Sequence, residues 1–171
     1  MATRLAWSAG TLVLGVIGAV LVGTVPAFGE GQMAVGTHAR SIQESAQRGT
    51  ANDVKAILAT SPGQRDARDV RGSQPIHFAA GNSDSGPLKT LIAAGANPNA
   101  RDDDGDTPLH LAVLARNAKN TRLLLEAGAD PTAKNNAGRD ALAIAHEVLA
   151  DDAAGVISLW ILKGCQPKKP C

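Results

Sequence analysis

Apolar positions follow two different patterns along the chain. Residues Leu5 to Val25 form one uncharged stretch of 21 residues, closed by the helix-breaking Pro26, and predict an apolar N-terminal helix. From about Thr37 the apolar residues recur instead at a fixed offset of 33: Ala46, Ala79, Ala112 and Ala145 align, as do Leu58, Leu91, Leu124 and Ile157. The punctuation keeps the same register. Gly72, Gly105 and Gly138 share one position, Gly95 and Gly128 another, and Pro75 and His77 return as Pro108 and His110. That period belongs to a turn followed by two antiparallel helices. The pattern predicts an all-α solenoid of about four helix-turn-helix units with short hairpin loops, at 37–69, 70–102, 103–135 and 136–163. Residues 1–29 precede it, 30–36 link, and 164–171 form a tail.

The third unit reads Asp104-Gly105-Asp106-Thr107-Pro108-Leu109-His110-Leu111-Ala112 and closes with Leu123-Leu124-Leu125-Glu126-Ala127-Gly128-Ala129-Asp130-Pro131. The second runs from Gly72-Ser73-Gln74-Pro75-Ile76-His77-Phe78-Ala79-Ala80 to Leu91-Ile92-Ala93-Ala94-Gly95-Ala96. Both closely resemble the ankyrin-repeat signature. The first and fourth units lack Thr-Pro-x-His, the fourth carrying Asp140-Ala141 instead; worn ends suit a stack whose terminal repeats face water. In the motif Thr107 caps the first helix and Pro108 takes its first position, where a missing N–H costs nothing. Gly128 ends the second helix in a left-handed conformation, Asp130-Pro131 turns the chain onward, and Pro87 opens a second helix.

The Leu5–Val25 stretch follows the single basic Arg4, and two small-x-small registers follow it, Val25-Pro26-Ala27 and Ala27-Phe28-Gly29. These features predict a cleaved signal peptide; about 20 apolar residues also span a bilayer, so an uncleaved anchor in the inner membrane is the alternative. Either places the repeats outside the cytoplasm, in the periplasm or secreted. With no Cys at the end of the stretch, a lipoprotein attachment is not indicated.

Composition narrows the function classes. Aromatics are scarce, with two Trp, two Phe and no Tyr, so the core must come from Leu, Ile, Val and Ala. The net charge is +1, and removal of Arg4 with the leader makes it zero. No basic run with interleaved aromatics is present, so nucleic acid is not an expected partner.

No constellation for catalysis survives the repeat. The resemblance implies that His77 and His110 hydrogen-bond between adjacent repeats; His38 and His146 have no equivalents and read as surface or packing residues. No His-x-x-x-His or Cys-x-x-Cys spacing supports a metal. Asp102, Asp103, Asp104 and Asp106 lack the register of a calcium loop, with no Glu at the far end of a 12-residue window, and read as a solvated hairpin tip. Cys165 and Cys171 lie outside the repeats. In an oxidising compartment they pair with each other, or Cys171 bonds another chain; a redox-active pair is the reading from a different class. Trp160 reads as packing for the last helix.

The resemblance implies a protein-binding surface formed by hairpin tips and first helices. Positions that vary while the frame repeats are free for recognition. At the tips they are Val70, Arg71 and Ser73, then Asp103, Asp104 and Asp106, then Asn136, Ala137 and Arg139; on the helix face they are Gly81, Asn82, Leu114, Ala115, Glu147 and Val148. The expectation is a non-enzymatic adaptor, without cofactor, metal or small-molecule substrate, that holds or protects a protein partner. Exported members of the family associated with catalase lend the protective role by analogy only. A secreted effector acting on another cell and a membrane-tethered spacer are the other readings.

Overall fold

The computed structural model describes residues 40–165, which fold entirely as helices and connecting turns. The apolar segment read as an N-terminal helix, the residues 30–36 read as a linker, His38 and the tail beyond Cys165 lie outside the described residues.

Proline and a short polar residue fix where each repeat begins. Pro75 and Pro108 occupy the first turn of α3 (Pro75–Gly81) and α5 (Pro108–Leu114), and the extended residue before each follows from the steric demand of the ring. The first helix of the stack, α1 (Ile42–Arg48), is capped by the Ser41 hydroxyl, which accepts the Glu44 N–H. The last first helix, α7 (Ala141–Glu147), is capped by Asp140, whose carboxylate accepts the Ala143 N–H at 2.8 Å. One unit earlier Thr107 holds the cap position with its hydroxyl 2.9 Å from His110 Nδ1 instead.

The returning helices are α2 (Ala51–Thr60), α4 (Gly86–Ala93), α6 (Ala118–Ala127) and α8 (Asp151–Leu162), with a 3-10 turn at Pro62–Asp66 after α2. Pro87 lies in the first turn of α4, and Gly128 ends α6 at φ 104°, both as the sequence predicts. Helices α1, α3, α5 and α7 stack in one row and α2, α4, α6 and α8 in another. The four aligned alanines, Ala46, Ala79, Ala112 and Ala145, are buried in the inner row, where the missing bulk lets 7-residue helices approach closely. Leu91, Leu124 and Ile157 fill the space between rows, and Trp160 closes the C-terminal end. Leu58 packs on the core but is only half-buried. The core is therefore a continuous column of small aliphatic layers, each unit covering the face its neighbour exposes.

Two positions break the usual chemistry of helix ends. Arg116 and Leu149 take left-handed backbone at φ 55° and 54°, 33 residues apart, where the chain leaves α5 and α7. A Cβ in that region costs about 1–2 kcal/mol. The turns after α1 and α3 start without it, from Gly49 at φ −89° and Asn82 at φ −69°.

Candidate functional site

The hairpin tips are built on one side chain per unit. Asp69 Oδ1 accepts the backbone N–H groups of Arg71 (2.9 Å) and Ser73 (2.8 Å). Asp102 Oδ1 does the same for Asp104 (3.1 Å) and Asp106 (2.8 Å), and Asn135 Oδ1 for Ala137 (3.1 Å) and Arg139 (3.0 Å). Short polar side chains favour this local turn. Gly72, Gly105 and Gly138 then turn the tip at φ 71°, 73° and 75°. At Gly105 the constraint is double, because a Cβ would also lie 2.5 Å from Asn136 Oδ1. These staples, Asp69, Asp102 and Asn135, stand 33 residues apart; Asp102, expected in solvent with the acidic run, is instead half-buried beneath its tip.

Each tip is bonded to the next. The Asp103 N–H donates to Arg71 O and the Asn136 N–H to Asp104 O, both at 3.0 Å. Asn136 Nδ2 adds a bond to Asp103 O at 2.9 Å, and Asn135 Nδ2 one to Asp106 Oδ1 at 2.8 Å. Arginines make a second rail. Arg68 Nη1 reaches Arg101 O at 3.2 Å, and the Arg101 guanidinium reaches Lys134 O.

Beneath the tips, two imidazoles tie helix to hairpin. His77 Nδ1 accepts the Gln74 N–H at 3.0 Å while its Nε2 lies 3.1 Å from Ala100 O. His110 repeats this on the Thr107 N–H (3.1 Å) and Arg139 O (3.1 Å), with the Thr107 hydroxyl 2.9 Å from Nδ1. Since a carbonyl only accepts, the proton belongs on Nε2 and both nitrogens of the neutral ring are satisfied. Burial pushes the His77 pKa below its ordinary value, against the opposing pull of the Asp102 charge and the backbone bonds.

The recognition candidates divide by where this framework puts them. Val70, Arg71, Asp103, Asp104, Asn136, Ala137 and Arg139 are exposed along the tips. Asp106 is half-buried and engaged by Asn135. Gly81, Leu114, Ala115 and Glu147 are exposed at the ends of the first helices, with Val148 half-buried beside them; Leu114, 45% exposed, is the large apolar side chain of that strip. A Cβ on Gly81 would meet Ala115 Cβ at 3.8 Å, so the strip is continuous from the second unit to the third. In the fourth unit Arg139 Nη1 meets Glu147 Oε2 at 2.8 Å, joining tip to helix end.

Two candidates require correction. Ser73 is buried, only 4% exposed, with its N–H held by the Asp69 carboxylate of its own tip. Asn82 is also buried: its Nδ2 donates to Ala46 O at 3.0 Å and Gly49 O at 3.3 Å, and its Oδ1 accepts the Asp84 N–H. It fastens the second unit to the first. Asn117 and Asn120 extend this arrangement by donating to Asn82 O, each at 2.8 Å.

Among the described residues no three His, Cys, Asp or Glu side chains converge as a metal site, and no helix is long and apolar enough to cross a membrane. Cys165 packs half-buried on the core; Cys171, its expected partner, lies outside the described residues.

Comparison with known proteins agrees with this geometry. A family model for ankyrin repeats, in three copies, matches residues 42–135, and a search of curated proteins found no match. Helices α7 and α8 lie beyond the matched span and stack on α5 and α6 as the earlier pairs do.

Proposed function

The chain belongs to the ankyrin-repeat family, whose repeats are protein-interaction modules, and from that premise we propose that it is a non-enzymatic adaptor that holds or protects a protein partner outside the cytoplasm. The observation that carries the proposal is the division of labour at the tips. Staples, glycines and tip-to-tip bonds use backbone groups and the side chains of Asp69, Asp102, Asn135 and Asn136, while the charged groups of Arg71, Asp103 and Asp104 are left in solvent and the exposed Arg139 is paired with Glu147. The unpaired charges run from basic Arg71 to acidic Asp103 and Asp104 along one row. A partner with complementary blocks is selected by them, each exposed pair contributing about 0–1 kcal/mol.

Export rests on the Leu5–Val25 stretch and its two cleavage registers. In an oxidising compartment Cys165 and Cys171 close the tail as an internal disulfide.

The test is mild crosslinking of the native protein in its own cell envelope, followed by isolation and reading of the mature N-terminus. A stoichiometric protein partner, lost when Asp103 and Asp104 are both replaced by Lys, supports the adaptor. Capture that is unchanged in the double variant removes the third tip as the contact. A chain that begins at Met1 and stays in the cytoplasm defeats the export reading.

A further inference from the structure

The end of the described stack departs from the repeat frame on the outer face of α8. Asp152, Gly155, Leu159 and Leu162 follow the 3-4-3 spacing that places residues along one side of a helix, and all four are exposed. Leu159 and Leu162 are 56% and 82% exposed. The opposite side, with Ala153, Ile157 and Trp160, is buried in the core. One unit earlier the position of Leu159 holds the exposed Glu126, so the leucine is not required by the fold. Terminal repeats ordinarily turn a polar side outward. This one presents leucines beside a glycine whose missing Cβ has nothing within 4 Å.

We propose that this face of α8 is the contact between two copies of the chain, packed antiparallel and centred midway between Gly155 and Leu159. That arrangement is self-complementary, as a two-fold contact must be. It lays Leu159 of each copy over Gly155 of the other, a side chain entering the space that the missing Cβ leaves open. It also brings the exposed Asp152 beside the exposed Lys163 of the second copy, twice. The helix carries acid at its first turn and base just past its last, so a parallel arrangement would set like charges together. Twelve residues span about 18 Å, which makes the contact smaller than the roughly 1,000 Å² of a stable interface. The pair is therefore weak, and local concentration decides its population.

The experiment mixes isotope-labelled and unlabelled full chains at about 100 µM, joins touching carboxylates and amines with a zero-length carbodiimide, and reads the peptides by mass spectrometry. A mixed-isotope Asp152–Lys163 link is expected. Leu159→Glu, which copies the preceding unit and so leaves the fold intact, should reduce it at least about tenfold. Asp152→Lys and Lys163→Asp should each weaken sedimentation as a dimer, and the double exchange should restore it, which no single-chain role of these residues explains. A chain that sediments as a monomer at about 1 mM, or a double exchange that fails to restore dimers, overturns the proposal. So does capture of the monomer on vesicles of anionic phospholipid, strengthened by Asp152→Lys and lost in Lys163→Asp, which assigns the face to a lipid surface.

Discussion

A neutral ring at His77 holds two bonds, of which an imidazolium keeps only the one from Nε2 to Ala100 O, because a proton on Nδ1 would face the Gln74 N–H. Its pKa lies below the ordinary 6.5, chiefly through burial. The unfolded chain therefore binds the proton at a pH where the folded chain does not, and this contribution to stability is complete above about pH 6.5 and lost as pH falls below it. Thermal melts recorded from about pH 7.5 down to pH 5 should show a falling midpoint, with a shallower slope in His77→Gln. Leu149 offers the opposite kind of change. It is 69% exposed and left-handed at φ 54°, so Leu149→Gly relieves backbone strain and gives up little burial. Allowing for the entropy of glycine, the gain is about 0.5–1 kcal/mol, read as a melt a few degrees higher.

The hairpin tip is the element in which framework and recognition meet, and substitutions separate them. Asp102→Ala leaves two tip N–H groups without their acceptor and should destabilise the protein by about 1–3 kcal/mol in denaturant titration. The Asp103 and Asp104 double lysine variant, on the same tip, should leave that titration nearly unchanged. At this scale the sequence was informative where a rule concerns backbone: Pro75, Pro108, Pro87 and Gly128 mark the helix ends observed. It misled at Asn82 and Ser73. Variation between aligned units was read as freedom to meet a partner, yet the fastening of Asn82 depends on Ala46 and Gly49, which the offset brings near only once the units are stacked. Spacing reports which positions differ; burial depends on what lies across the gap.

Among the described helices, no pair buries its apolar face alone, so at the scale of the whole stack stability belongs to the column. Leu124 is fully buried between the rows, and Leu124→Ala should lower stability by about 2–5 kcal/mol. Because neighbours share each interface, the loss should appear as one shifted transition rather than an early melt of the third unit, seen equally by helix content and tryptophan emission. Repeat number and overall architecture were legible because the offset of 33 is a global signal, repeated in alanines, leucines and glycines alike. The outer face of α8 was not, since spacing alone does not separate the exposed Leu159 and Leu162 from Ile157 and Trp160, which occupy the inward side.

The row of tips also has a mechanical meaning. Each of its bonds joins adjacent units only, Arg71 to Asp103, Asp104 to Asn136, Arg68 to Arg101. A pull on the two ends loads those bonds in series, like links rather than strands of a rope. Under such a pull each rupture crosses one unit boundary, and a unit of 33 residues drawn out to full extension adds about 110 Å of chain.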